Sequence, residues 1–233
     1  MPLYKFTTKK NHDNFFRTGS LRLGTIHDFK DTLKFSVGIG DKNEGHHTVS
    51  RLIDGREDFD NIRKQTLLSD IFDLPENHVV RFQNFEIKKR VVSENAYIFC
   101  TSAIFSEDIF LQWHEFSKIK GVEDEIIDSC YQILYPERFA KAISKKIEEQ
   151  AYIVAANYVS YSPDPIPYDS PLKEIPPAFT KELLFSWQKE YRMMWMPNDA
   201  NSLIEALFIN SPEAAALCRP FATLDNGIVT MYR

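Results

Sequence analysis

The chain has 233 residues, 43% hydrophobic and 26% charged, with a net charge of −5 at neutral pH. That suits one compact domain, or one domain carrying a large insertion, and excludes a collagen, a coiled coil, a wholly disordered chain and a surface that is one phosphate-binding field. Eighteen Phe, ten Tyr and three Trp supply a core without a disulfide framework, and Cys100, Cys130 and Cys218 form no C-x-x-C pair.

Leu3 to Thr8 alternates apolar and polar side chains and reads as a first strand. Asn11 caps a short helix to Arg17, Gly19 stops it, and a second strand runs from Leu21 to Leu23. Thr25 to Asp31 predicts a helical turn, and residues 36–50, with Gly38, Gly40 and Gly45, an irregular loop. Val79 to Val92 predicts one or two strands. Asn95 to Ala103, nearly continuously apolar, predicts a core strand buried on both faces. Residues 123–149 show helical spacing, most clearly from Pro136 to Glu149, and Tyr152 to Tyr161 reads as a strand. Six prolines between 163 and 177 imply an extended connector or flap. Thr180 opens a short helix, strands follow at Glu190 to Met196 and Leu203 to Ile209, and Pro212 to Cys218 is a brief helix before an extended Gly227 to Tyr232. Unequal helical pieces between strands predict an α+β single domain over residues 1–233, with an insertion at about 45–92 and the flap at about 163–177.

The eight glycines make neither G-x-G-x-x-G nor a P-loop. The N-terminal residues carry no leader pattern and no run of eighteen apolar residues occurs, so the expectation is a cytoplasmic protein with no membrane association. Residues 1–34 hold seven basic against three acidic side chains, which reads as a solvated face or an anion site near the first strands.

Gln188 and Glu190, entering a late strand beside Trp187, form the strongest chemical signal: a carboxylate fixed at a strand mouth, expected to share a face with the amide two residues earlier. The bland reading is an edge strand whose Glu190 pairs with Arg192 or a distant lysine. Thr101 and Ser102 set hydroxyls at a strand end, where they serve a ligand or local backbone groups. Cys100 reads as inert. A metal site at Asp41, Glu44, His46 and His47, and a triad around Trp113, His114 and Glu115, are weaker readings.

Two resemblances rest on these residues. Leu3 to Phe6, Ser20 to Gly24, the Asp28 to Asp31 turn with Asp41 and Glu44, and Trp187 to Trp195 resemble an uncharacterised bacterial and phage family over nearly the full length. A basic residue on the first strand, an aromatic-x-x-Thr-Ser strand end and Gln188-x-Glu190 also resemble the three-part signature of NAD-dependent mono-ADP-ribosyltransferases. That resemblance implies a split antiparallel sheet with NAD as substrate and ADP-ribose passed to a protein or nucleic-acid acceptor, or NAD hydrolysis. A toxin or antiviral effector, held by an antitoxin or met by a phage protein, would act this way. It makes Glu190 the ribose-binding acid, turns Gln188 toward the acceptor, and gives Tyr4, Lys5 or Arg22 and Thr101 with Ser102 to NAD, with Trp187 as a stacking or acceptor-facing ring. No metal is implied. The alternatives are a noncatalytic interaction or regulatory module that binds through exposed aromatics of the flap, and a Mg²⁺ nuclease using Asp41 and Glu44.

Overall fold

The computed structural model describes residues 1–30, 40–58, 79–119 and 125–232. It is a mixed α+β structure with mostly antiparallel strands. In β1 (Leu3–Thr7) alternation divides two cores, Leu3 packing on one face and Tyr4 and Phe6 on the other. The first helix, α1 (Lys9–Thr18), begins where Thr8 Oγ1 accepts the Asn11 N–H at 3.2 Å and ends at Gly19, whose φ of 74° suits the residue without a Cβ.

After β2 (Ser20–Thr25) and the single turn α2 (Ile26–Phe29), β3 (His46–Asp58) and β4 (Val79–Val92) form a long antiparallel ribbon, with β9 (Ile166–Pro167) alongside. The loop predicted over 36–50 is thus a strand from His46 onward, with His47, Val49 and Ile53 buried in alternation; residues 31–39 lie outside the described residues. The core strand is β5 (Tyr97–Ser102). Next come α3 (Glu107–Lys118), capped by Ser106 and without an expectation from sequence, and β6 (Ser129–Ile133), a strand within the 123–149 stretch expected to be helical. All five residues of β6 are buried, so it lacks the alternation that marks a half-buried strand, and its apolar spacing merged with that of α4 (Pro136–Lys146).

The chain continues through β7 (Ala151–Tyr158) and β8 (Ser160–Ser162) into the Pro-rich stretch. That stretch lies on the sheet, with Ala178 and Phe179 buried there beside Ile98 and Ile26. The residues after Thr180 correct the predicted helix: β10 (Thr180–Glu182) pairs in parallel with β8, and only Leu183–Gln188 forms a 3-10 turn. The remainder is β11 (Glu190–Pro197), β12 (Leu207–Asn210), α5 (Pro212–Ala215), β13 (Cys218–Asp225) and β14 (Ile228–Met231).

Among the described residues nine strands form the main sheet. β7 and β11 lead to β5, whose far edge is shared: its start pairs with β2 (Thr25↔Tyr97, Gly24↔Ile98) and its end with β1 (Tyr4↔Ser102). One arm runs on through β2 to β12, the other through β1, β6 and β13 to β14. Helices α1, α4 and α5 cover one face. On the other, α3 covers the β1–β6–β13 arm and the Pro-rich segment covers β5 and β11, so two separate cores meet at the fork. Among the described residues no helix is long and apolar enough to cross a membrane.

Candidate functional site

Between Ile98 and Ser102 the shared edge of β5 has neither β1 nor β2 as a described ladder partner. A buried carbonyl there needs a donor. Lys5 supplies it, its Nζ donating to Cys100 O at 2.8 Å with the ammonium 4.8 Å from the centre of the Phe99 ring. The Lys5 side chain thus fills the point where the sheet divides.

Beside it β11 contributes a charged stripe. Glu190, Arg192 and Met194 share one face, opposite Ser102, Cys100 and Ile98 of β5, while Met193 and Trp195 point into the other core. Arg192 is 1% exposed and Glu190 5%. Arg192 Nε donates to Glu190 Oε1 at 2.6 Å and its Nη2 to Glu44 Oε2 at 2.8 Å; Nη1 donates to Glu44 Oε1 and Ala178 O. From β10, Lys181 Nζ donates to Glu190 Oε2 at 2.8 Å and Gln188 Oε1 at 3.0 Å. Two carboxylates and two cations close a buried network whose charges cancel, the condition under which such burial is tolerated. Burial opposes ionisation of Glu190, but Arg192 and Lys181 outweigh it and hold the carboxyl well below its usual range. Burial likewise opposes the charge on Lys181, and Glu190 and Glu44 raise its pKa nonetheless.

Glu44 comes from a turn in which the Asn43 N–H donates to Asp41 Oδ1 at 2.8 Å and the Glu44 N–H to Asp41 O at 2.8 Å. The next residue must be glycine: Gly45 has φ 68°, and a Cβ there would lie 2.2 Å from Ile26 Cγ2. Gln188 reaches Lys181 by another backbone device. Lys189, at φ 47° and ψ 49°, is left-handed, so Gln188 at the end of the 3-10 turn and Glu190 at the start of β11 both turn inward without lying on one strand face.

Above this floor is a cavity of about 120 Å³, walled by Tyr4, Phe6, Phe29 and Trp113. Of the residues singled out in the sequence, Tyr4, Lys5, Thr101, Ser102, Gln188 and Glu190 border it. Thr101 and Ser102 are, however, engaged with backbone. Thr101 Oγ1 donates to Tyr191 O at 3.0 Å, and Ser102 Oγ, 2.8 Å from both Gln188 O and Ile104 O, shares its one hydrogen between them. Their work is to fasten β5 to the segment carrying Gln188 and Glu190. Tyr4 Oη accepts from Gln132 Nε2 at 3.0 Å.

Two residues do not join the site. Arg22 pairs with Asp28, 6.0 Å from the centre of the Phe29 ring, and it is Phe29 that faces the cavity. Trp187 packs behind Trp113, stacked on Phe116 at 5.3 Å. Glu190 also sits on an interior strand rather than an edge. The expected pairing of Glu190 with Arg192 or a distant lysine is present, the lysine being Lys181; Glu44 and Trp113 were read from sequence for other roles.

The weaker readings also find places. Asp41 and Glu44 face different neighbours, His114 Nδ1 lies 2.7 Å from Ile127 O, and among the described residues no three His, Cys, Asp or Glu side chains gather as for a metal ion. Phe179, just after the flap, is buried, Tyr161, just before it, accepts the Glu190 N–H at 2.8 Å through Oη, and Tyr168, the aromatic within it, is half-buried with Lys173 and Arg51 over its ring. Burial pushes the Cys100 thiol well above its ordinary pKa.

The site is therefore an aromatic-walled cavity with an ionised acid in its floor and the Lys5 side chain at its rim. Compared with protein-family models, curated proteins and solved structures, the chain matches none.

Proposed function

We propose that the chain cleaves the bond between nicotinamide and ribose in NAD and passes ADP-ribose to a macromolecular acceptor or to water, as a bacterial toxin or antiviral effector would. The observation that carries this reading is convergence: Lys5, Gln188 and Glu190, far apart in sequence, border one aromatic-walled cavity where an antiparallel sheet splits. A split sheet, a first-strand base and Gln188-x-Glu190 are among the features the resemblance to mono-ADP-ribosyltransferases implies; the Thr101 and Ser102 hydroxyls, its remaining part, border the same cavity while bonded to backbone.

Breaking the glycosidic bond builds positive charge on the ribose, and a carboxylate already ionised and held by Arg192 and Lys181 stabilises that charge more than the ground state. The cavity, at about 120 Å³, is smaller than the roughly 300–1,000 Å³ of sites that enclose whole ligands, so it takes one ring with the dinucleotide extending outside. Lys5 donates to ribose oxygen at the rim, and Gln188 lies on the acceptor side.

The test uses NAD labelled separately in nicotinamide and in adenylate, with wild type and Glu190→Gln. Wild type should release nicotinamide, and the variant, matched by circular dichroism, should lose at least 100-fold in rate. Absence of release by folded wild type, with or without cell extract as acceptor, overturns the reading.

A second reading has its own support. Both oxygens of Glu190 are occupied by Arg192 and Lys181, as in a purely architectural ion cluster of a noncatalytic interaction module. There Glu190→Gln lowers stability, and NAD is untouched by either protein.

A further inference from the structure

The cavity lining carries three cations, Lys5, Lys181 and Arg192, and two carboxylates, Glu44 and Glu190. Four of these are bonded to one another and at most 7% exposed. Their charges cancel, which leaves Lys5 as the surplus. Lys5 is only half-buried, and its Nζ has a neutral carbonyl, Cys100 O, as its partner. The rim of the cavity around it is aromatic.

Among the described residues an ammonium in that position makes no ion pair, whereas the neutral amine leaves the lining in charge balance. We propose that Lys5 is an amine nucleophile and that the cavity takes a small aldehyde or ketone with a planar apolar body, which Lys5 captures as an imine. Burial lowers the Lys5 pKa, and Arg22 lowers it further; Cys100 and Glu190 act in the opposite direction without cancelling the shift. Desolvated lysines near another cation are the amines that attack carbonyls.

The chemistry balances without an oxidant. The lysine ammonium gives one proton to solvent, and the nitrogen lone pair forms the C–N bond as the C=O π pair moves to oxygen. One proton passes from nitrogen to oxygen, and loss of water leaves the C=N bond. The aromatic wall selects the body of the substrate, with Tyr4 and Phe6 on the strand that carries Lys5 and Trp113 on α3. This inference uses no step of NAD cleavage and stands or falls apart from it.

Benzaldehyde with sodium cyanoborohydride, added to the intact protein in phosphate-free buffer at pH 7, tests it. Hydride reduces any imine to a stable benzylamine, located by peptide mass spectrometry. Lys5 should be modified at least tenfold faster than the exposed Lys9 and Lys141, and its rate should rise less steeply than theirs between pH 7 and 9. The comparison lies within one folded protein and needs no variant; a folded Lys5→Arg protein should lack the fast adduct. Modification of Lys5 no faster than Lys9 overturns the proposal. So does protection by inorganic phosphate, which would mean that the site holds an ammonium for an anion.

Discussion

Two buried polar clusters lie three residues apart on the same turn and are built on opposite terms. Glu44 enters a network in which every charge meets its opposite: Arg192 bridges it to Glu190, and Lys181 reaches both carboxylates. Asp41, 4% exposed, enters a small enclosure with His47, 5% exposed, whose two ring nitrogens have no hydrogen-bond partner among the described residues. Burial and the nearby Glu44 push the Asp41 carboxyl up to about 6, while Glu190, buried to the same degree, is held well below its usual range. Burial by itself thus does not set the protonation state of a carboxylate. The count of cations within reach does, and in this protein the cations have been placed under the aromatic cavity.

The sharpest way to break that contrast is to remove the shared cation. Arg192→Met keeps most of the volume but leaves Glu44 and Glu190 buried with Lys181 as their one neutralising neighbour in the network, and should lower unfolding stability by about 3–5 kcal/mol in urea titrations. Adding Glu44→Gln should return part of the loss. A change below about 1 kcal/mol would mean that the network is open to water and not the rigid floor described.

A smaller effect of opposite sign is expected at Asp41. Its folded-state carboxyl keeps its proton up to about pH 6, whereas the unfolded group releases it near 3.8. The folded state binds more protons in that window, so wild-type stability falls as pH rises through it. Asp41→Asn removes this penalty and should stabilise the protein by about 1–3 kcal/mol at pH 7.5, the gain shrinking between pH 6 and 4. A constant gain, or a loss, across that range would contradict the assignment.

His47 gives the smallest signal. Burial lowers its pKa, so the unfolded state takes up a proton first, and stability is lost as pH falls below 6.5. His47→Leu should flatten the acid side of the melting-temperature profile and leave pH 8 nearly unchanged. An unaltered profile would mean that the orphaned nitrogens are solvated at low pH.

These contrasts mark how much could be read from the letters. Where a segment is shaped by its own residues, sequence and structure agree: Pro136 opens α4, Gly19 closes α1, and Tyr97 to Ser102 is a continuous buried strand. The segment after Thr180 was misread because its strand pairing is with β8, a neighbour the local pattern does not contain. Glu190 and Gln188 were expected to share one strand face; they come together instead through a left-handed Lys189 between them.

The sequence by itself determined the α+β composition, the aromatic core and the presence of an acid at the mouth of a late strand, because propensity, periodicity and turn chemistry act over a few residues. Tertiary structure alone decided that Lys5 stands in the fork of the sheet, that Glu44 and Lys181 join Arg192 beneath the cavity, and that Thr101 and Ser102 serve the backbone. Electrostatic partnership depends on distance in space, and Glu44 and Arg192, 148 positions apart, meet only once β11 and the turn before β3 have packed.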